Sequence, residues 1–195
     1  MNTLKGLRII TNLHCNYKCT FCYQTGKQFK VLPFETLLDA VKPYGEKHFE
    51  YCTIMGGEST LLPNLPEYIN MGSIYSKQVR LTTNGYLLSH YHLNRYKNAG
   101  LTGINVSVAS LEKYEEVTQA AYPALNKHGI INQIRTCKKF FPDEVRVNIA
   151  LIKENMGGEI KDLIHYFLCD MGVNVTICED LLATYSLVNT PEKMG

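Results

Sequence analysis

A chain of 195 residues with 45% hydrophobic and 19% charged side chains is long enough to bury a core and too apolar to stay disordered. Its 20 basic and 18 acidic residues nearly cancel, at a net charge of +2, so composition offers no surface for nucleic acid or membrane. No apolar run approaches the ~20 residues that span a bilayer, the N-terminus does not read as a secretory signal, and seven cysteines in that setting point to a reducing cytoplasm.

Residues 6–12, GLRIITN, read as the first strand, and the loop after it, LHCNYKCTFCYQTGK, carries Cys15, Cys19 and Cys22. Phe34, Leu37, Leu38 and Val41 stripe a helix that Pro43 should end. A second strand over 51–57 runs into Gly56-Gly57-Glu58. Asn64 is placed to cap a helix through about residue 76, with Leu65, Tyr68 and Ile69 on one face. A third strand with its turn, 78–85, ends in Thr82-Thr83-Asn84-Gly85. Ser89 then caps a helix that Gly100 stops.

The fourth strand spans 103–110, and a helical stretch after it breaks at Pro123 and resumes at about 129–140. Residues 144–152, EVRVNIALI, have strong β-propensity and form the fifth strand. Ile160, Leu163, Ile164, Phe167 and Leu168 stripe the next helix, Gly172 ends it, and 173–179 is the sixth strand. Six β/α alternations imply parallel strands joined by right-handed crossovers. A closed eight-unit barrel takes ~250 residues. The expectation is therefore an α/β fold, a partial (β/α)6 TIM-like barrel. It forms one domain over residues 1–195, with an irregular tail at 180–195.

Polar residues and glycines gather at the C-terminal ends of the strands, the rim where parallel α/β folds build active sites. Three closely spaced thiols are one ligand short of a closed tetrahedral zinc site. They suit three irons of a [4Fe–4S] cube, leaving the fourth iron to a ligand that is not protein. Zinc and three reduced thiols without metal are the competing readings; His14 is poorly placed to assist, because neighbours in an extended segment point apart. Cys52, Cys137 and Cys169 read as core residues, while Cys178 ends the sixth strand facing the rim.

Cys15-x3-Cys19-x2-Cys22, with Phe21 before the last cysteine, resembles the signature of the radical S-adenosylmethionine (radical SAM) superfamily. Gly56-Gly57-Glu58 resembles that family's GGE motif after the second strand. TTNG, INVSVASLEKYEEVT and VRVNIALIKEN resemble the third, fourth and fifth strand motifs of the molybdenum-cofactor GTP cyclase branch and of related peptide-modifying enzymes. The resemblance runs from residue 7 to about 179.

The resemblance implies a [4Fe–4S] cluster on Cys15, Cys19 and Cys22, with the methionine part of SAM on the fourth iron. It also implies reductive cleavage of SAM to a 5′-deoxyadenosyl radical that takes hydrogen from a small-molecule or peptide substrate. Gly56, Gly57 and Glu58 would meet the methionine amine, with Glu58 accepting from the ammonium group. Ser107 and Asn148 would contact the carboxylate and ribose, Thr83 and Asn84 would complete the cofactor site, and the Phe21 backbone would face adenine. Cys178 is the candidate catalytic residue, as hydrogen-atom donor or substrate contact. An electron donor such as flavodoxin or ferredoxin is the implied partner.

Within the same family, a glycyl-radical enzyme activase and a viperin-like nucleotide dehydratase are alternatives. The second would use Lys27 and Lys30 on a triphosphate, although solvated loop lysines explain them as well. A non-catalytic iron–sulfur electron carrier and a zinc-binding module are the alternatives of another class. Gly56-Gly57-Glu58 and the polar strand ends weigh against the carrier, which has no use for a methionine site.

Overall fold

The computed structural model describes residues 4–22, 30–119 and 125–178. Lys27, the expected break at Pro123 and the expected tail at 180–195 lie outside them. Six strands, β1 (Leu4–Ile10), β2 (Phe49–Met55), β3 (Ser76–Thr83), β4 (Gly103–Ser107), β5 (Val145–Ala150) and β6 (Asn174–Cys178), form one sheet in sequence order, every neighbouring pair parallel. β1 and β6 pair only inward among the described residues, so the barrel is partial and open at its side.

Strand pleating divides the sheet into two faces, since alternate side chains point opposite ways. Val145, Val147 and Ile149 of β5 are buried towards the helices, as are Val79 and Leu81 of β3 and Cys52 and Ile54 of β2. Their neighbours Thr53, Met55, Thr82, Asn148 and Ala150 face the other way and are only partly buried. That concave face is the wall on which a site can form.

The helices are α1 (Phe34–Val41), α2 (Leu65–Tyr75), α3 (His90–Asn98), α4 (Tyr114–Thr118), α5 (Lys127–Phe140) and α6 (Glu159–His165). Their buried stripes close the core: Leu65, Tyr68 and Ile69 of α2, Leu93 and Tyr96 of α3, Ile130, Ile134 and Cys137 of α5, and Leu163 of α6. Ser89 caps α3 by accepting from the His92 N–H, and Gly100, at φ +103°, occupies the left-handed stop.

Three expectations are corrected. Asn64 makes no side-chain cap bond; α2 starts with Pro66 in its first turn, where a missing N–H costs little. Leu168 is 46% exposed and Cys169 is exposed, although helical periodicity puts both in the core. The cause is a π-helical turn over Tyr166–Asp170, in which the Met171 N–H reaches back five residues to the Tyr166 carbonyl. The wider turn rotates Leu168 and Cys169 outward while Phe167 stays fully buried.

Leu81, with no exposed surface in a central strand, fixes the sheet against the helices. Leu81→Ala should cost about 2–5 kcal/mol, read as a lower urea midpoint at unchanged slope.

Candidate functional site

The loop with the three thiols is held by an extension of the sheet. Beyond the last paired residues of β1 and β2, the Thr11 N–H donates to the Met55 carbonyl (2.8 Å), the Gly57 N–H to the Asn12 carbonyl (2.9 Å) and the Glu58 N–H to the His14 carbonyl (2.7 Å). The two chains run so close that a Cβ on Gly56 would lie 2.4 Å from Asn12 Oδ1, and one on Gly57 would lie 2.2 Å from the His14 carbonyl oxygen. Glycine is required here for contact between two backbone segments. On the other side, the Lys18 N–H donates to the Thr118 carbonyl (3.1 Å) and the Thr20 N–H to the Val117 carbonyl (2.9 Å), tying the loop to the end of α4.

Between these ties Cys15, Cys19 and Cys22 face one cavity, all partly buried, although among the described residues no three His, Cys, Asp or Glu side chains are grouped closely enough to share a single metal ion. Burial pushes the Cys19 thiol up to about 12, and the neighbouring sulfurs of Cys15 and Cys22 add to it. Burial likewise raises Cys15, against the Tyr17 N–H, which donates to its sulfur at 3.3 Å. Asn84 Nδ2 donates to the same sulfur at 3.7 Å. A site that discourages bare thiolates at Cys15 and Cys19 yet aims N–H groups at the Cys15 sulfur suits a positive iron–sulfur core, whose thiolates are charge-compensated and hydrogen-bonded. The donor set is all thiol, which fits that core.

Glu58 is placed differently from the reading of its motif. It is 2% exposed. Oε1 accepts from the Thr60 N–H (3.1 Å), the Thr60 hydroxyl (2.6 Å) and the Thr83 hydroxyl (2.7 Å), and Oε2 accepts from the Asn84 N–H (2.7 Å). Burial pushes its carboxyl above the ordinary range, while the same four donors pull it back. Its oxygens are occupied by protein, because a desolvated carboxylate has to be hydrogen-bonded where it stands. Glu58 therefore ties the loop after β2 to the end of β3, and its motif meets the cavity through Gly56 and Gly57.

Those glycines line a cavity of about 280 Å³ at the C-terminal ends of the strands. Cys15, Cys19, Phe21, Cys22, Thr83, Asn84, Ser107, Asn148 and Cys178 line it too, so every sequence-predicted site residue except Glu58 meets there. Ser107 and Asn148 are partners in the β4–β5 register, and Cys178 pairs with Ala150 across β5–β6. Phe21 packs on a small cluster of Ala109, Val117 and Ile152. Lys30 is exposed and does not line the cavity.

Sequence reasoning missed Tyr17, Met55, Thr82, Val108, Ala109, Thr118 and Ala150 in the lining. Met55, Thr82 and Ala150 follow from pleating once the strand ends are known. Tyr17 had no such signal: its hydroxyl meets that of the buried Tyr114 at 3.3 Å, 97 residues away.

Gly57→Ala should force the His14 carbonyl away and displace the thiol loop. A destabilisation of about 1–3 kcal/mol is expected from such overpacking, measurable by thermal unfolding, together with faster alkylation of Cys15 and Cys19.

Comparisons with known proteins bear on the whole arrangement. Residues 9–167 match the family model described as the Radical SAM superfamily. The GTP 3′,8-cyclase of Aquifex aeolicus is 34% identical over 184 residues, covering 90% of this chain and 56% of that protein. A probable GTP 3′,8-cyclase of Methanococcus aeolicus is 31% identical over 185 residues, covering 90% of this chain and 59% of its own. The chain thus spans somewhat more than half the length of these curated relatives.

Among solved structures, Streptococcus suis SuiB bound to S-adenosylmethionine superposes with a TM-score of 0.74 at 15% identity, over 91% of this chain and 41% of that one. anSMEcpe with bound AdoMet gives 0.73 at 16% identity, over 91% of this chain and 52% of that one. At such identity the likeness shows the fold, a partial TIM barrel. The match over most of the described strands is decisive: this chain belongs to the radical SAM superfamily, whose cofactors are a [4Fe–4S] cluster and S-adenosylmethionine.

Proposed function

We propose that the chain is a single radical SAM core domain that holds a [4Fe–4S] cluster on Cys15, Cys19 and Cys22 and catalyses radical chemistry on a small-molecule or peptide substrate. The observation that carries this reading is the convergence of the three thiols with Gly56, Gly57, Ser107, Asn148 and Cys178 on one cavity. The cofactors would supply reductive cleavage of S-adenosylmethionine to methionine and a 5′-deoxyadenosyl radical able to take a hydrogen atom from substrate.

The chain's own residues bind and orient. Gly56 and Gly57 leave backbone bare at the cavity wall, where an ammonium group can reach carbonyl oxygen. Ser107 and Asn148, side by side on β4 and β5, offer hydroxyl and amide groups to a carboxylate or ribose. Thr83, which donates to Glu58, stiffens the same wall. Phe21 and Ala109 supply an apolar surface against an adenine ring and help exclude water. Cys178, exposed at the end of β6 on the open side and lining the cavity, would meet the substrate.

Two comparisons bear on substrate class. The sequence relatives are GTP cyclases, and SuiB, alike in fold, was solved with the precursor peptide SuiA. Among the described residues the cavity lining carries no Lys or Arg, so groups holding a polyphosphate would have to come from outside them. The lateral opening and largely apolar wall favour a peptide side chain or an uncharged small molecule. A low-potential flavodoxin or ferredoxin fits as electron donor, and the reading includes neither nucleic acid nor membrane. Among the described residues no helix is long and apolar enough to cross a membrane.

Anaerobic reconstitution with iron and sulfide, then S-adenosylmethionine and a reductant, tests the reading. A brown protein that forms 5′-deoxyadenosine is expected, and Cys19→Ala should lose both colour and cleavage. A colourless protein that takes up one zinc, or a cluster that never cleaves S-adenosylmethionine, would defeat it.

A further inference from the structure

The geometry points to Asn84 as a positioning residue that sets the redox potential of the cluster through the Cys15 sulfur. This inference rests on the cluster assignment proposed above. Asn84 Oδ1 accepts from the Tyr86 N–H at 3.0 Å, which fixes the orientation of the amide. Nδ2 must then face the other way, where it meets Asn16 Oδ1 at 2.8 Å and Cys15 Sγ at 3.7 Å.

The mount of this donor is rigid. The Asn84 N–H is held by Glu58 Oε2 at 2.7 Å, and the next residue, Gly85, takes φ +84° with its N–H on the Thr83 hydroxyl at 3.1 Å. Glu58 in turn is anchored by the backbone ladder that seats the thiol loop, through the bond from its N–H to the His14 carbonyl at 2.7 Å. Donor and sulfur are therefore fixed to the same frame. As a thiol, Cys15 can also donate towards Asn16 Oδ1 at 4.0 Å; as a thiolate ligand it only accepts, from Asn84 and from the Tyr17 N–H.

An N–H aimed at a ligating sulfur stabilises whichever state holds more electron density there. One electron, delivered by a low-potential donor protein, adds charge at the sulfur that Asn84 faces. No bond forms or breaks, and the N–H···S contact strengthens. Asn84 thus favours the reduced state and raises the potential, making the electron easier to accept.

The test uses reconstituted wild type, Asn84→Ala and the isosteric Asn84→Asp, each assayed for iron and sulfide and titrated potentiometrically with EPR detection. Full cluster content is expected throughout, with midpoints falling from wild type to Asn84→Ala to Asn84→Asp. For Asn84→Asp the reduced-to-oxidised ratio at fixed potential should drop at least tenfold, about 59 mV for a one-electron couple. A purely structural role would change cluster content or melting temperature and leave the midpoint alone. Loaded variants that titrate with wild type overturn this inference and spare the cluster assignment. So do variants that keep native circular dichroism but cannot load. A wild type that takes up no cluster overturns both.

Discussion

The arrangement depends on one close approach, that of the backbone at Gly56-Gly57-Glu58 to the backbone at Asn12-Leu13-His14. A parallel β1–β2 ladder ordinarily ends where the strands do. Here it continues past them because two consecutive residues lack side chains, and a Cβ at either would sit inside the opposing segment. The thiol loop therefore leaves the sheet in a defined direction and not as a free excursion. Its second tie, to the carbonyls of Val117 and Thr118, closes the loop against a segment about a hundred residues away.

Glu58 extends this constraint sideways. A carboxylate with 2% exposure is an expensive group to bury, and it is retained because four donors from two neighbouring segments converge on it. The end of β3 is thereby held at a set height beside the loop after β2. Asn84 is presented to Cys15 as a consequence, and Thr83 to the cavity wall. The chain of dependence runs from the glycine contact to the buried carboxylate, then to the β3 turn, then to sulfur. The motif residues of β2 and β3 form one mechanical unit more than a set of separate ligand contacts.

Much of the fold was legible in order and type. Strand propensity, helical stripes, the helix start at Ser89 and the stops at Gly100 and Gly172 place six units correctly, and parallel pairing follows from the alternation itself. Boundaries shifted by a few residues, as at β1, which begins at Leu4, and β4, which ends at Ser107. Leu168 and Cys169 were misplaced because periodicity assumes 3.6 residues per turn, and a π-helical turn breaks that assumption locally without a composition signal.

The site divides in the same way. By itself the sequence determined the local chemistry: three thiols within one loop, glycines and polar residues at strand ends, and alternation that sends Ser107 and Asn148 to a common face. These are short-range properties, set by spacing and by the pleat. Only the tertiary structure decided what each group points at. It turned Glu58 away from the cavity and into a protein cage, aimed the Asn84 amide at Cys15, and brought Tyr17 to Tyr114. Such directions come from contacts between segments 25 to 97 residues apart, where desolvation and hydrogen-bond satisfaction select the partner, and no local pattern encodes that choice.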